Sequence, residues 1–361
     1  MARPENLIRI FTPSDASAGN TNAQNLTVKE IVVRLPEERF QVTMFSEGEA
    51  DPRIVVRKNT RLVKWARCGN TVRLLRHCLF PPPDIYFFPR TGPLDRFFFD
   101  ARNRMGLKTA LVSYIVMAMN AETSRGMIGR SITEGDVVVG NSKYVGETIR
   151  QMFGVQARAI YDGIDRRYYF APHERVVNHA PVVLYAGSFQ PRKRVEMAIQ
   201  QAVRWPGWQF RLAGKGETEE HCRELARQLG CRNVVFLGHL SSERLGEEMR
   251  KADIFLFPSI LEGNPQVLLQ ASACGLPVIA MDLYHTDYVV SGKTGFLAAS
   301  DAELVEALGR LAGDAALRMS FSAAAVCHSD QFNWDDIAKQ WAGIFEEAWA
   351  NRHIHPRQKA S

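Results

Sequence analysis

At 361 residues and 40.7 kDa, 46% hydrophobic and 23% charged, the chain has the make-up of an ordinary globular protein with two cores of ~150 to 180 residues. Its 26 glycines and 17 prolines exclude a collagen-like or low-complexity chain, and its best apolar run, Leu111 to Met119, is half the ~20 residues a membrane-spanning helix needs. The net charge of +6 is uneven, because residues 1–180 carry 26 Lys/Arg against 18 Asp/Glu and residues 181–361 carry 19 against 21.

Apolar runs with strand character alternate with helix-period segments from the start of the chain: a strand at Ile8 to Phe11, a helix from Ala23 to Leu35, a strand at Gln41 to Phe45, a helix over Arg61 to Leu79, then strands at Asp84 to Phe88 and Ala110 to Ile115. A polar stretch with one proline, Ala171 to Ala180, interrupts the rhythm, and the domain boundary is placed there, after His173. The alternation resumes with strands at Val182 to Tyr185, Gln209 to Leu212, Val234 to Phe236 and Ile254 to Phe257, and with helices at Val195 to Val203 and Glu219 to Leu229. A last amphipathic helix, Phe332 to Ala350, opens with Asp335 and Asp336. Strands alternating with helices at this spacing predict two parallel-sheet α/β domains, residues 1–173 and 174–334, with residues 335–361 as a closing helix.

In doubly wound sheets ligands bind beyond the carboxyl ends of strands, so polar and glycine residues there carry the functional reading. Thr12 to Gln24, after the first strand, offers small residues, Gly19 and a helix start, which suits a phosphate cradle or a plain capped turn equally. The second domain opens with VVLYAGSFQPRK, where Gly187 and Ser188 precede Arg192, Lys193 and Arg194. Lys193 can neutralise a diphosphate held over the glycine turn, or can belong to a solvated basic helix start. Gly216 closes a second glycine turn, LAGKG, which on its own is also an ordinary turn. The densest stretch is Ala252 to Met281: a buried strand, a loop with Glu262, Gly263, Asn264 and Pro265, then a helix from about Gln266 whose amides favour an anion. Glu262 and Gln270 are eight apart, about two helical turns, so they share a face if the helix begins early.

These segments, in this order, resemble the retaining GT-B glycosyltransferases that use nucleotide-sugar donors, the group 1 family marked by two glutamates separated by seven residues. YAGSFQPRKR, FRLAGKGE, VVFLGHLSSERLGEEMRKADIFLFPS and EGNPQVLLQASACGLPVIA match its donor domain. VVVGNSKYVGETIRQMFGV with AIYDGID resembles the end of its first domain, and FNWDDIAKQW its closing helix. The resemblance implies a GT-B fold, two Rossmann-like doubly wound domains facing a central cleft. It also implies roles: Glu262 on the donor sugar, the amides of Gly263 to Gln266 with Lys193 on the diphosphate, Gly19 closing on it, and Gln270 on the ribose. Three departures stand out. Gln270 replaces the second glutamate, Ser188 the arginine after the first glycine turn, and no histidine occurs in Ala110 to Ala121, with only His77 and His173 elsewhere in residues 1–173. The expected activity is transfer of a sugar from a nucleotide diphosphate sugar to an envelope polysaccharide, glycolipid or similar acceptor, without cofactor or metal. The alternative is a degenerate GT-B protein that binds nucleotide or glycan without turnover, as partner to an active subunit.

Between Asp51 and Asp84 no acidic residue occurs, whereas Arg53, Arg57, Lys58, Arg61, Lys64, Arg67, Arg73 and Arg76 are basic. With its interleaved leucines and Trp65, the segment Arg61 to Phe80 reads as a helix on an anionic membrane or as a domain helix with a solvated basic face. No nucleic-acid motif accompanies the charge. The start MARPENLIRIF lacks an apolar signal core and the six cysteines lack metal or disulfide spacing, so the expected compartment is the cytoplasm, with peripheral contact on the inner membrane face under the membrane reading.

Overall fold

The computed structural model describes residues 7–20, 22–64, 76, 81–87, 93–175, 178 and 180–352. They form two compact units, one of the residues up to Gly163 together with those from Trp334 onward, the other from Ile164 to Asn333.

In the first unit the strands are β1 (Ile8–Asp15), β2 (Phe40–Ser46), β3 (Thr60–Lys64), β4 (Ile85–Phe87), β5 (Ala110–Ile115), β6 (Val137–Gly140) and β7 (Arg158–Ala159). Its helices are α1 (Ala23–Val32), α2 (Pro52–Val55), α3 (Pro93–Met105), α4 (Met127–Thr133), α5 (Lys143–Phe153) and, from the far end of the chain, α12 (Trp334–Asn351). The seven strands are all parallel in the order β3-β2-β1-β4-β5-β6-β7. Central strands covered on both faces must be apolar nearly throughout, and every residue of β4 and β5 is buried. α12 completes the core: Trp334, Ile337, Trp341, Ile344 and Phe345 recur at helical spacing and pack with Phe40, Phe87 and Tyr114.

The basic run departs from its expected form. Residues Thr60–Lys64 are the edge strand β3, paired parallel to β2, rather than the start of a helix. TRLVK buries only Val63 and shows no clean alternation, so its pairing with β2 from Thr60 to Lys64, which no local pattern announces, is what makes it a strand. The rest of the proposed helix, apart from Arg76, lies outside the described residues.

The second unit contains β8 (Val182–Ala186), a 3-10 turn at Pro191–Lys193, α6 (Val195–Arg204), β9 (Gln209–Ala213), α7 (Glu219–Gln228), β10 (Val234–Gly238), α8 (Ser242–Lys251), β11 (Ile254–Phe257), α9 (Gln266–Ala273), β12 (Val278–Met281), β13 (Gly295–Ala298), α10 (Asp301–Gly313) and α11 (Ala315–Ser329). Its six parallel strands run β10-β9-β8-β11-β12-β13. The polar stretch 171–180 belongs to this unit, and the units divide earlier, at Gly163. Arg175 holds that stretch down by donating to the Ala252 and Cys274 carbonyls (2.7 and 2.5 Å), and Asn178 donates to Asp253 (2.8 Å). The outgoing and returning chain run side by side, Ile164 N–H donating to Phe332 O at 2.9 Å.

Candidate functional site

The strand order of the second unit reverses between β8 and β11, so the loops after these two strands leave the sheet in opposite directions and open a crevice at their carboxyl ends. Backbone crossings with no spare room shape its floor. Gly187 N–H donates to Ala213 O (3.0 Å) and Phe189 N–H to Lys215 O (2.9 Å), which lays the loop after β8 along the loop after β9. A Cβ on Gly214, at φ +142°, would sit 1.8 Å from Gly187 O, and one on Gly216 would sit 2.2 Å from Phe189 O. LAGKG is therefore more than an ordinary turn, since only glycine permits this approach.

Past the glycines the 3-10 turn at Pro191–Lys193 carries Arg192 and Lys193 back toward the loop after β11. Three groups converge on one oxygen of Glu262: Lys193 Nζ at 2.5 Å, Arg192 at 2.8 Å and the Ser259 hydroxyl at 2.5 Å. Arg192 also donates to the Leu261 carbonyl (2.7 Å), and its own carbonyl receives the Ile260 N–H (3.0 Å), so the two loops are stitched together at backbone level. Lys193, Glu262 and Ser259 are buried, with Phe257 beneath the ammonium at 4.9 Å from the ring centre. Burial pushes the Lys193 ammonium below its ordinary range, the Glu262 carboxylate pulls it back up by charge and hydrogen bond, and Arg192 adds to the downward shift. The same carboxylate, after burial, raises the Tyr185 phenol. Two cations against one carboxylate leave a site that favours an anion, while the second Glu262 oxygen accepts nothing from the described residues and can take a ligand hydroxyl.

α9 begins at Gln266, with Pro265 as an N-cap that offers no side-chain acceptor and no acidic residue in the first turn. A helix start without a capping side chain or a first-turn acid favours a ligand's negative charge. This start is too late for Glu262 to share a helical face with Gln270. Glu262 stands four residues before the helix, and the loop, rather than helical periodicity, sets its direction. Gln270 is the fifth helical residue and half-buried. Asn264 is buried and held by Thr286, whose hydroxyl donates to its side-chain oxygen at 2.6 Å.

Residues 180–314 match the family model described as "Glycosyl transferases group 1". The second unit is a group 1 glycosyl transferase domain. Consistent with this, the chain is 36% identical over 180 residues to an exopolysaccharide phosphotransferase of Streptomyces coelicolor, covering 47% of this chain and 19% of that one. It is 33% identical over 195 residues to a D-inositol 3-phosphate glycosyltransferase of Acidothermus cellulolyticus, covering 49% and 43%. The chain thus spans less than half the length of these curated relatives. Among solved structures, the Anabaena protein HepE in complex with UDP-glucose superposes with a TM-score of 0.76 at 17% identity, over 94% of this chain and 100% of that one. That likeness extends through both units and establishes the GT-B fold.

Within the group 1 domain the expected residues Gly187, Ser188, Arg192, Lys193, Gly216, Glu262, Gly263, Asn264, Pro265, Gln266 and Gln270 all lie on loops and the helix start at the carboxyl ends of β8, β9 and β11. Arg194 is drawn away: at φ 52° it links the 3-10 turn to α6 and pairs with Asp301 on α10 at 2.5 Å. Gly19 lies in the other unit, exposed at a loop tip with nothing within 4 Å of where its Cβ would be. The interior of that loop is taken by its own anion. The Asp15 carboxylate accepts from Ser17 N–H (3.0 Å) and hydroxyl (2.6 Å), Asn20 (2.7 Å) and Glu47 N–H (3.1 Å), so the capped-turn reading describes it better than an empty phosphate cradle. His173 is exposed on the second unit, His77 is outside the described residues, and the turn after β5 is organised by Asn120, which accepts from Glu122 and Thr123 N–H. Ser259 and Thr286 are the site residues that sequence reasoning missed. Ser259 stood unassigned beside the donor loop, and Thr286 had no signal short of knowing that the loop after β12 returns to Asn264.

Proposed function

We propose that this chain is a retaining glycosyltransferase that moves a sugar from a nucleotide diphosphate sugar to an envelope polysaccharide, glycolipid or similar glycan acceptor. The observation that carries the reading is the grip of buried Lys193 and half-buried Arg192 on the buried Glu262, where the loops after β8 and β11 meet. A donor diphosphate competes for the two cations and lies against the amides from Gly263 to Gln266. Glu262, released in part from its cations, then accepts from the sugar hydroxyls, and Gln270 takes one ribose hydroxyl through its amide oxygen. For Gly19 the resemblance implies a further backbone contact to the diphosphate. Catalysis in this scheme rests on charge stabilisation: as the bond from the anomeric carbon to the diphosphate oxygen breaks, Lys193 and the α9 amides balance the leaving charge, and the leaving oxygen takes the acceptor proton on the same face. The domain's family and the UDP-glucose held by the structural neighbour support this choice of donor class.

The acceptor side is proposed to lie at a membrane. Among the described residues no helix is long and apolar enough to cross one. The basic run instead opens with Val55 and Val56, 58% and 77% exposed, ahead of Lys58, Arg61 and Lys64, and this surface rests on anionic lipid at the cytoplasmic face. The experiment that tests the whole reading is a thermal-shift screen of uridine, guanosine, adenosine and thymidine diphosphates and their sugar conjugates against the wild type, Glu262→Ala and Gln270→Glu. The expected result is one stabilising base, with the sugar-dependent part lost in Glu262→Ala; about 2.7 kcal/mol is gained at 100 times the dissociation constant. A wild type that binds none, beside a Gln270→Glu variant that binds one, would instead identify a degenerate binder.

A further inference from the structure

Two buried tyrosines stand near Glu262, and their hydroxyls are treated differently. Tyr185, at the end of β8, donates to the Ser188 carbonyl at 3.2 Å. Tyr284, on the loop after β12, is 1% exposed, and its hydroxyl has no hydrogen-bond partner among the described residues. A buried hydroxyl left without a partner costs roughly 1–3 kcal/mol, so its position calls for an account. The register of the sheet sets the place. Phe257 of β11 lies opposite Ala280 of β12, so the residues after Pro258 and those after Met281 leave the same sheet edge side by side. The loop is then pinned there by the 2.6 Å bond from Thr286 to Asn264 and by Tyr288 N–H donating to Thr286. Just ahead of these anchors His285 adopts φ 41°, a left-handed conformation unusual outside glycine. The Tyr284 phenol is held well above its ordinary range by burial first, then by the charge of Glu262 and of Asp282. It therefore stays a neutral donor, next to a carboxylate whose three donors all bind one oxygen.

We infer that Tyr284 is a donor-specificity residue, its hydroxyl hydrogen-bonding the sugar moiety of the nucleotide diphosphate sugar alongside the unused oxygen of Glu262. The inference rests on the donor reading above and adds a residue to it from a loop that carries none of the motif segments. It makes Tyr284 a group felt by the sugar conjugate and not by the nucleotide alone, and makes Tyr185 its structural counterpart.

The test is isothermal titration of the full chain, wild type and Tyr284→Phe, with UDP and UDP-glucose and with the guanosine and adenosine pairs in parallel, plus the melting temperature of each ligand-free protein and of Tyr185→Phe. Tyr284→Phe is expected to bind the nucleoside diphosphate within twofold of wild type and its sugar conjugate about tenfold more weakly, with a ligand-free melting temperature equal to or above wild type. Tyr185→Phe is expected to melt lower. A Tyr284→Phe variant that binds the conjugate as wild type does, or that melts several degrees lower without ligand, overturns the inference while leaving the donor reading in place. A wild type that binds no conjugate overturns the donor reading and this inference with it.

Discussion

The loop after β1 and the loops after β8 and β11 occupy equivalent places in two Rossmann-like sheets, yet they handle charge in opposite ways. After β1 an internal carboxylate, Asp15, satisfies the donors of its own loop, including one 32 residues away at Glu47. After β8 and β11 the internal carboxylate, Glu262, is outnumbered by Arg192 and Lys193. A self-satisfied loop holds its shape without a ligand; a loop with surplus positive charge is completed by an anion from outside. The proposed donor site rests on the second arrangement, whereas the loop after β1 shows no such surplus of positive charge.

The comparison can be broken most forcefully at Gly214. With φ at +142° and backbone 1.8 Å from a prospective Cβ, Gly214→Ala should cost about 4 kcal/mol or more of stability, measured by urea unfolding. A near-neutral result would show that the crossing of the two loops is slack. Lys193→Met comes next, and should weaken diphosphate binding about 30-fold, as expected for losing one charge-assisted contact of ~2 kcal/mol, with the deficit measured by titration of UDP. Equal binding would mean that the surplus charge plays no part. Asp15→Asn should cost about 1.5 kcal/mol, because an amide cannot accept from all four donors. Burial pushes the Asp15 carboxyl upward, but the bonds from Ser17, Asn20 and Glu47 outweigh it and hold the group below its ordinary 3.8. A lowered folded value means that its stabilisation is complete above pH 3.8 and is lost as pH falls through the folded value, so the gap between wild type and Asp15→Asn should narrow below pH 3.8. The smallest effect belongs to Gly19→Ala, which has open space around it and should change unfolding stability by less than about 0.5 kcal/mol while lowering sugar transfer if its backbone meets the diphosphate. A large stability loss there would mean that the tip is built as tightly as Gly214.

Sequence periodicity carried the fold well where elements are long or fully buried. β5 and β11 have the bounds read from their apolar runs, and α12 differs by one or two residues at each end. It failed at β3, a five-residue edge strand inside a basic window, because one buried residue, Val63, is too little signal to outweigh the leucines that follow. The site was legible where motif residues sit close in sequence, as Arg192 with Lys193 and Glu262 with Gly263. It was illegible where the contact is long-range, as with Thr286 reaching back to Asn264 or Glu47 reaching back to Asp15. Those bonds depend on sheet register, which no local pattern encodes.

The place of α12 bears on how the molecule is made. Its tryptophans belong to the core of the unit formed by the earliest residues, although the whole of residues 164–333 separates them in the chain. On a ribosome adding about 5–20 residues per second, the β1–β7 sheet emerges and then waits roughly ten to thirty seconds for the helix that covers it, while the second unit, continuous in sequence, can fold as it appears. The early half is therefore the aggregation-exposed part of the nascent chain, and truncations that stop short of Trp334 should be recovered as insoluble protein even though they retain every strand of both sheets.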